Sequence, residues 1–143
     1  MFIKIISKKE KQEILKKLNE RFGVEEIPGL LIRIGREKIF FFSGDISENQ
    51  IKKLERITTV ERVGIYFGKI ADDSIRLSIE GTHLLKKQIK KNIYEIDESQ
   101  VESWMKGNDL DIKPEKKGFL VIKYKDDFLG CGKASENKIG NFI

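Results

Sequence analysis

The chain has 143 residues, of which 39% are hydrophobic and 36% are charged. This balance supports a folded core of one ordinary domain or two small packed ones, and no apolar run reaches the roughly 20 residues of a membrane-spanning helix. One Cys and one His exclude an internal disulfide and a Cys/His zinc cage. The first seven residues do not fit a signal peptide, so we expect a cytoplasmic protein.

The first half predicts strands alternating with helices. Ser7 and Glu10 fit a capping box, apolar residues then recur at helical spacing, and Gly23 suits the C-cap. A second capping box at 47–50 opens a second helix. The predicted strands are residues 2–6, 30–34, 38–43 and 63–70. The order is therefore β-α-β-β-α-β, with the run Phe40–Phe42 expected to be buried on both faces of the sheet.

The second half predicts closely spaced strands with two short helices. The helices are expected at residues 81–91 and 97–106, and the strands at 76–79, 92–96, 118–124, 128–134 and from 138 onward. A polar turn at 71–74 is the candidate boundary, which divides the chain into domains 1–71 and 72–143. Short strands of this kind favour a small, nearly closed barrel, so the fold class is α+β.

The positive surplus is confined to the first half. Residues 1–71 hold 15 Lys and Arg against 10 Asp and Glu, whereas residues 72–143 hold 13 of each. The overall charge of plus five is a mild indication of a polyanionic partner. A nucleic-acid role for the second half therefore depends on local clustering.

The second half resembles the PUA domain of pseudouridine synthases and archaeosine transglycosylases. The resemblance covers residues 72–143 and is carried by the segments 75–82, 104–110 and above all 118–133, "GFLVIKYKDDFLGCGK". It is similar to the version shared by large-subunit ribosome-assembly factors and the C-terminal extension of Sun-type RNA cytosine methyltransferases. The first half resembles, in layout, the pre-PUA domain of those assembly factors.

The resemblance implies a non-catalytic RNA-binding protein that acts on structured rRNA in ribosome biogenesis. The expected partners are rRNA or tRNA and pre-ribosomal proteins, with no membrane, metal or cofactor. Two alternatives stay open: a tRNA-directed targeting factor for a separate modifying enzyme, and a protein–protein adaptor. The predicted RNA-binding residues are Arg76, Gly81, Thr82, His83, Lys86, Lys87, Lys90, Lys91 and Lys133.

The physical basis of this site is a helix starting at Gly81. A bare glycine backbone lets a phosphate approach free amides, and Thr82 adds a hydroxyl donor. Lysines at 86, 87, 90 and 91 would then fall on nearly the same helix face, where a phosphate chain relieves their mutual repulsion. An ordinary solvated lysine face explains the same pattern equally well. His83 either contacts RNA or packs on the helix or faces solvent.

Other residues allow a functional and a structural interpretation. Gly130 and Gly132 fit barrel curvature or a passing RNA backbone beside Lys133, while Cys131 is expected to be a buried apolar group. Trp104 has core-like spacing, although an exposed aromatic would stack on bases. A basic cluster at Arg33, Arg36 and Lys38 is also consistent with a charged loop. The Asp pairs at 72–73, 109/111 and 126–127 fall at predicted turns, so we do not expect an active site there.

Overall fold

A computed structural model describes residues 3–43, 60, 64–71 and 74–142. The helices are α1 (Lys8–Phe22), α2 (Ile79–Leu84) and α3 (Glu98–Met105). The strands are β1 (Ile3–Ile5), β2 (Gly29–Ile34), β3 (Lys38–Ser43), β4 (Ile65–Ala71), β5 (Ser74–Leu77), β6 (Ile93–Glu95), β7 (Gly118–Tyr124), β8 (Asp127–Ala134) and β9 (Ile139–Asn141). These elements confirm the α+β class. No helix in the described ranges is long and apolar enough to cross a membrane.

The helix α1 begins and ends where its sequence predicts. The Ser7 hydroxyl accepts the amide of Glu10 at 3.2 Å, and Gly23 closes the helix in the left-handed region at φ 85°. The Glu10 carboxylate does not complete the expected capping box, because it pairs with Arg33 on β2 and lies 3.9 Å from Lys4 Nζ on β1. The acidic side chain thus ties α1 to the sheet.

The first sheet is antiparallel and has the order β1-β2-β3-β4-β5. Side chains alternate across it, so Leu31, Ile39 and Phe41 face α1 whereas Ile32 and Phe42 belong to a separate buried cluster on the opposite face. The expectation that the β3 aromatic run is buried on both faces is confirmed, although Phe40 within it is only partly buried.

The second sheet is mixed. Its order is β6-β7-β8-β9, with β6 parallel to β7 and the other pairs antiparallel. The side chains of Asp97 and Gln100 form a capping box that starts α3. Trp104 on α3 is fully buried, and its indole Nε1 donates to the carbonyl of Leu129 at 2.9 Å. The core interpretation of Trp104 is therefore confirmed, whereas Met105 is 49% exposed.

A continuous apolar core joins the two sheets. It contains Leu18 and Phe22 of α1, Leu77 of β5, and Val121 and Phe128 of the second sheet. Because the two sheets share this core, residues of the second sheet pack directly against α1 and the first sheet. The predicted division at residue 71 stays a prediction, and β5 pairs with β4 across it.

Among the described residues both sheets are open, and closure into a barrel is not among their pairings. The strand predicted at 76–79 ends at Leu77, because Ser78 leaves the sheet and caps α2. The second helix with its capping box at 47–50, and the Asp pair at 72–73, lie outside the described residues.

Candidate nucleic-acid interface

The expectation that Gly81 presents bare backbone to solvent is wrong. Helix α2 starts two residues earlier than predicted because Ser78 is its N-cap, and the amide of Gly81 donates to Ser78 Oγ at 2.9 Å. Gly81 is buried, and a Cβ added there would lie 2.1 Å from the carbonyl oxygen of Phe67 on β4. Its lack of a side chain thus serves close packing of α2 on the sheet.

Thr82 is also enclosed within the protein. Its residue exposure is 0%, and its hydroxyl donates to the carbonyl oxygen of Ile79 at 2.6 Å. The expectation that this hydroxyl is available to a phosphate is therefore wrong. A buried hydroxyl satisfied by its own helix stabilises the fold and offers no donor at the surface.

Lys86 and Lys87 do not share a helix face with Lys90 and Lys91. Helix α2 ends at Leu84 and the chain turns over residues 85–88, so the predicted helix to residue 91 is wrong. The physical reason is a tertiary hydrogen bond. The amide of Lys90 donates to the carbonyl oxygen of Phe22 on α1 at 2.8 Å, and not to a carbonyl oxygen one helical turn earlier. All four lysines are exposed.

The first pair of lysines lies in an acidic setting. Lys86 and Lys87 line the same surface cleft as Glu25 and Glu26. The side-chain oxygen of Gln88 holds this arrangement by accepting the amides of Glu25 and Glu26 at 2.8 and 2.9 Å. Two carboxylates beside two ammonium groups leave little net attraction for a phosphate.

The second pair of lysines lies at an edge that collects positive charge. Lys90 and Lys91 precede β6 with only Asn92 between them and the strand, and Lys116 and Lys117 directly precede β7. Because β6 and β7 are parallel, with Ile93 opposite Val121, their starting ends lie at the same edge of the sheet. We call these four exposed lysines the basic edge.

Arg21 fixes the geometry of the basic edge. Its guanidinium, in the last turn of α1, donates from Nε to the carbonyl of Phe119 at 2.7 Å and from Nη2 to the carbonyl of Lys117 at 2.6 Å. Asn92 in turn donates from its side-chain amide to the carbonyl of Arg21. Burial lowers the pKa of Arg21 from its usual value. Arg21 therefore contacts the start of β7 through its guanidinium and the residue before β6 through its backbone carbonyl, while the lysines beside it stay exposed.

The net charge of this region is positive. Residues 19–22, 90–92 and 115–117 contribute Arg21 and the four lysines, against the carboxylates of Glu20 and Glu115. Five cations and two anions on adjoining segments make a surface that attracts a polyanion.

The remaining predicted contacts are dispersed. Arg76 on β5 lies over the ring of Phe142 at 4.4 Å. His83 is exposed, and its Nε2 donates to the carbonyl of Phe128 at 2.7 Å. Lys133 lies on β8 opposite Phe119 of β7. The structure therefore does not bring the nine predicted residues into one site, and it groups Lys90 and Lys91 with residues that the prediction omitted.

The β8 glycines have structural roles. Gly130 is buried with φ 82°, a conformation that side chains disfavour. Gly132 is buried where an added Cβ would lie 2.8 Å from the Trp104 ring. The backbone conformation of Gly130 and the close packing at Gly132 therefore account for both glycines without an RNA backbone. Cys131 between them is buried as expected, and this burial raises the pKa of its thiol to about 12.

Asp109 is engaged in holding the chain together. Its carboxylate accepts the amide of Asn141 at 2.8 Å and the Nζ of Lys138 at 3.2 Å. The backbone hydrogen bond from Asn141, followed by the bond from Lys138, lowers the pKa of this carboxyl group. In the part of the chain that the structure describes, no group of three or more His, Cys, Asp or Glu side chains is placed to hold a metal ion.

Lys116, Lys117 and Arg21 are the charged residues that sequence reasoning missed. The signal was a pair of "KK" doublets, each directly before a predicted strand. Had β6 and β7 been recognised as parallel neighbours, the doublets would have been placed at one edge.

A scan against protein-family models finds a match within the second half of the chain. Residues 91–143 match the model described as Methyltransferase RsmF PUA domain. The matched region contains the second sheet from β6 to β9 and three of the four basic-edge lysines. A search of curated proteins finds no match to the chain. Residues 91–143 are therefore similar to the PUA domain found at the C-terminus of Sun-type methyltransferases, and this similarity points in general to an RNA partner.

Proposed function

We propose that the protein is a non-catalytic RNA-binding factor that recognises structured rRNA during ribosome biogenesis. In this proposal residues 1–71 form a pre-PUA-like domain and residues 72–143 form a PUA barrel. The observation that carries the proposal is the basic edge, because it lies at the start of the sheet that the PUA model matches. Four exposed ammonium groups at one edge suit the phosphates of a folded RNA.

The arrangement favours recognition of shape over recognition of base sequence. Duplex RNA hides its base edges in a deep, narrow groove, so proteins contact its phosphates and riboses. Lysines are flexible point charges that follow a phosphate backbone without reading bases. Arg21 keeps the lysine-bearing segments close together, because its guanidinium bonds to the start of β7 and its backbone carbonyl accepts from Asn92 before β6. This lowers the entropic cost of engaging several phosphates at once.

The chemistry of the described residues supports a binding role. The Asp109 carboxylate is engaged by Asn141 and Lys138, and Cys131 is a buried thiol with its pKa raised to about 12. A nucleophilic thiol needs the opposite shift, toward a lower pKa. Both groups thus stabilise the fold, in line with a factor that binds RNA without transforming it.

A second candidate function is the targeting of a separate RNA-modifying enzyme to tRNA. It is favoured by the family match, because the matched model is that of a methyltransferase PUA domain. In this version the protein supplies RNA recognition and another polypeptide supplies catalysis.

The identity of the bound RNA distinguishes the two. Ultraviolet crosslinking of the full chain in cell extract, followed by sequencing of the attached RNA, should recover rRNA fragments from a ribosome-assembly factor. Recovery of tRNA would favour the targeting function. A chain that crosslinks to no RNA, and whose binding to an rRNA hairpin does not weaken as salt rises, would be a protein–protein adaptor.

A further inference from the structure

A second charged surface lies on the first sheet, on the face opposite α1. The strand register places Lys38 of β3 directly opposite Lys69 of β4, and Lys69 directly opposite Arg76 of β5. Directly opposed side chains in an antiparallel pair have Cβ atoms about 5 Å apart, and like charges there repel. A row of three cations is therefore an unfavourable arrangement that an anionic ligand would relieve.

Part of this charge is already compensated within the chain. Lys69 Nζ lies 3.1 Å from the Glu37 carboxylate, and Arg76 lies over the Phe142 ring. An exposed ion pair of this kind is worth little in water, so Lys69 can exchange Glu37 for a phosphate at small cost. Lys38 is exposed.

Aromatic rings lie along the same face. Phe40 is opposite Tyr66, with their ring centroids 5.5 Å apart, and both rings are partly exposed. Phe142 is 48% exposed beside Arg76. These three rings and the cations Lys38, Lys69 and Arg76 make up what we call the aromatic face.

The limits of the aromatic face are visible in the packing. Toward β2 the same side of the sheet becomes a buried apolar cluster of Ile32, Ile34 and Phe42. Toward β5 it continues to Arg76 and Phe142, which line one surface cleft with Tyr66. The exposed part therefore crosses three strands, a width of about 10 Å, which suits a short strand of nucleic acid.

We propose that the aromatic face binds a single-stranded RNA segment. Two or three bases would lie against Phe40, Tyr66 and Phe142, and the phosphates would follow the cation row across the strands. Bases stack on aromatic side chains in a sequence-tolerant way, and a positive row beside them tracks the backbone. The inference rests on the proposed function insofar as the partner is RNA, but it adds a surface distinct from the basic edge.

The charge pattern favours RNA over a protein partner. A protein segment that docks on exposed aromatic rings would be helped by apolar or mixed surroundings, whereas three cations in register, with only Lys69 paired to a carboxylate among the described residues, favour an anion. A phosphate chain supplies one negative charge for each nucleotide. Single-stranded RNA therefore matches both the rings and the spacing of the cations.

The test compares two labelled RNAs by fluorescence anisotropy on the full chain: decauridylate and an rRNA hairpin. The variant Lys38→Gln/Lys69→Gln removes two phosphate contacts, so decauridylate affinity should fall about 25-fold near 0.1 M salt and the salt slope should decrease by about 1.4. Phe142→Ala changes an exposed side chain and should lower the affinity for decauridylate about fivefold or more, because one stacked base is lost.

The matched control is Lys8→Gln/Lys9→Gln, which changes the net charge equally. Lys8 and Lys9 are exposed at the start of α1, the helix that packs on the opposite face of the first sheet. This control should leave decauridylate affinity within about twofold of wild type. All variants should retain the far-ultraviolet circular dichroism spectrum and melting temperature of the parent chain.

Photocrosslinking gives an independent readout. Decauridylate that carries 4-thiouridine should attach to peptides containing Phe40, Tyr66 or Phe142. The inference would be overturned if attachment were confined to the basic edge, or if Lys38→Gln/Lys69→Gln left decauridylate affinity unchanged. Binding of the hairpin would still uphold the proposed function in that case. Failure of both RNAs to bind would overturn both proposals.

Discussion

The two lysine pairs before β6 should contribute very differently to RNA binding. Lys90 and Lys91 lie at the basic edge, whereas Lys86 and Lys87 share a cleft with Glu25 and Glu26. Sequence spacing alone treats the four lysines as equivalent. Replacing one pair at a time by Gln therefore tests the structural distinction directly.

The expected magnitudes follow from counterion release. Each phosphate contact on a duplex contributes about 0.9 to the slope of log affinity against log salt. Loss of the contacts made by Lys90 and Lys91 should lower the slope by about 1.8 and the affinity near 0.1 M salt by about 60-fold. Loss of Lys86 and Lys87 should change affinity by less than about threefold, because nearby carboxylates already offset their attraction.

The assay is fluorescence anisotropy with a labelled rRNA hairpin between about 0.1 and 0.5 M salt. Lys116→Gln/Lys117→Gln should behave like Lys90→Gln/Lys91→Gln, and Lys8→Gln/Lys9→Gln is the charge-matched control. Melting temperatures should agree among the variants because the substituted side chains are exposed. Equal losses for the 86/87 and 90/91 pairs would refute the basic edge as the binding surface.

Three further predictions concern the framework that positions these surfaces. Arg21→Ala should lower the free energy of unfolding by about 2–4 kcal/mol, since two charge-assisted hydrogen bonds to backbone carbonyls are lost; an unchanged urea midpoint would contradict this. Gly81→Ala should lower the free energy of unfolding by about 2 kcal/mol or more, because the added Cβ would lie 2.1 Å from the Phe67 carbonyl oxygen. At Gly140 the nearest atom to an added Cβ is 3.6 Å away, so Gly140→Ala should lower it by under about 1 kcal/mol. The raised pKa of Cys131, about 12 against 9.0, means that its thiol favours folding below pH 9 and that this contribution is lost as pH rises toward 12. Urea unfolding of Cys131→Ala should therefore show a shallower decline of stability from about pH 9 to pH 11 than the parent chain shows.

Local sequence patterns sufficed for much of the fold. The caps of α1 at Ser7 and Gly23, and the hairpin of β2 and β3, depend on interactions within a few residues. Such short-range preferences can be recognised in one sequence. The burial of Trp104 followed in the same way from its spacing on α3.

The candidate site was harder to predict because its geometry is set by distant contacts. The turn at 85–88 and the direction of Lys90 depend on the bond from the Lys90 amide to the Phe22 carbonyl, far away in sequence. The burial of Gly81 depends on its approach to Phe67 of β4. Neither contact leaves a periodic signal in the sequence, so a pattern of lysines at helical spacing was misleading.

The burial of Gly81 and Thr82 also changes the expected character of binding. Free backbone amides at a helix start would hold a phosphate in one fixed orientation, through hydrogen bonds that depend weakly on salt. Exposed lysines attract phosphates over a longer range but without a fixed orientation, and added salt competes with them directly. Orientation must then come from elsewhere on the protein. The aromatic face supplies it if bases stack there, because ring planes constrain a bound strand in a way that flexible ammonium groups do not. An RNA with a duplex next to a single strand should therefore bind more tightly than either part alone, to the extent that its linker allows both surfaces to be engaged at once.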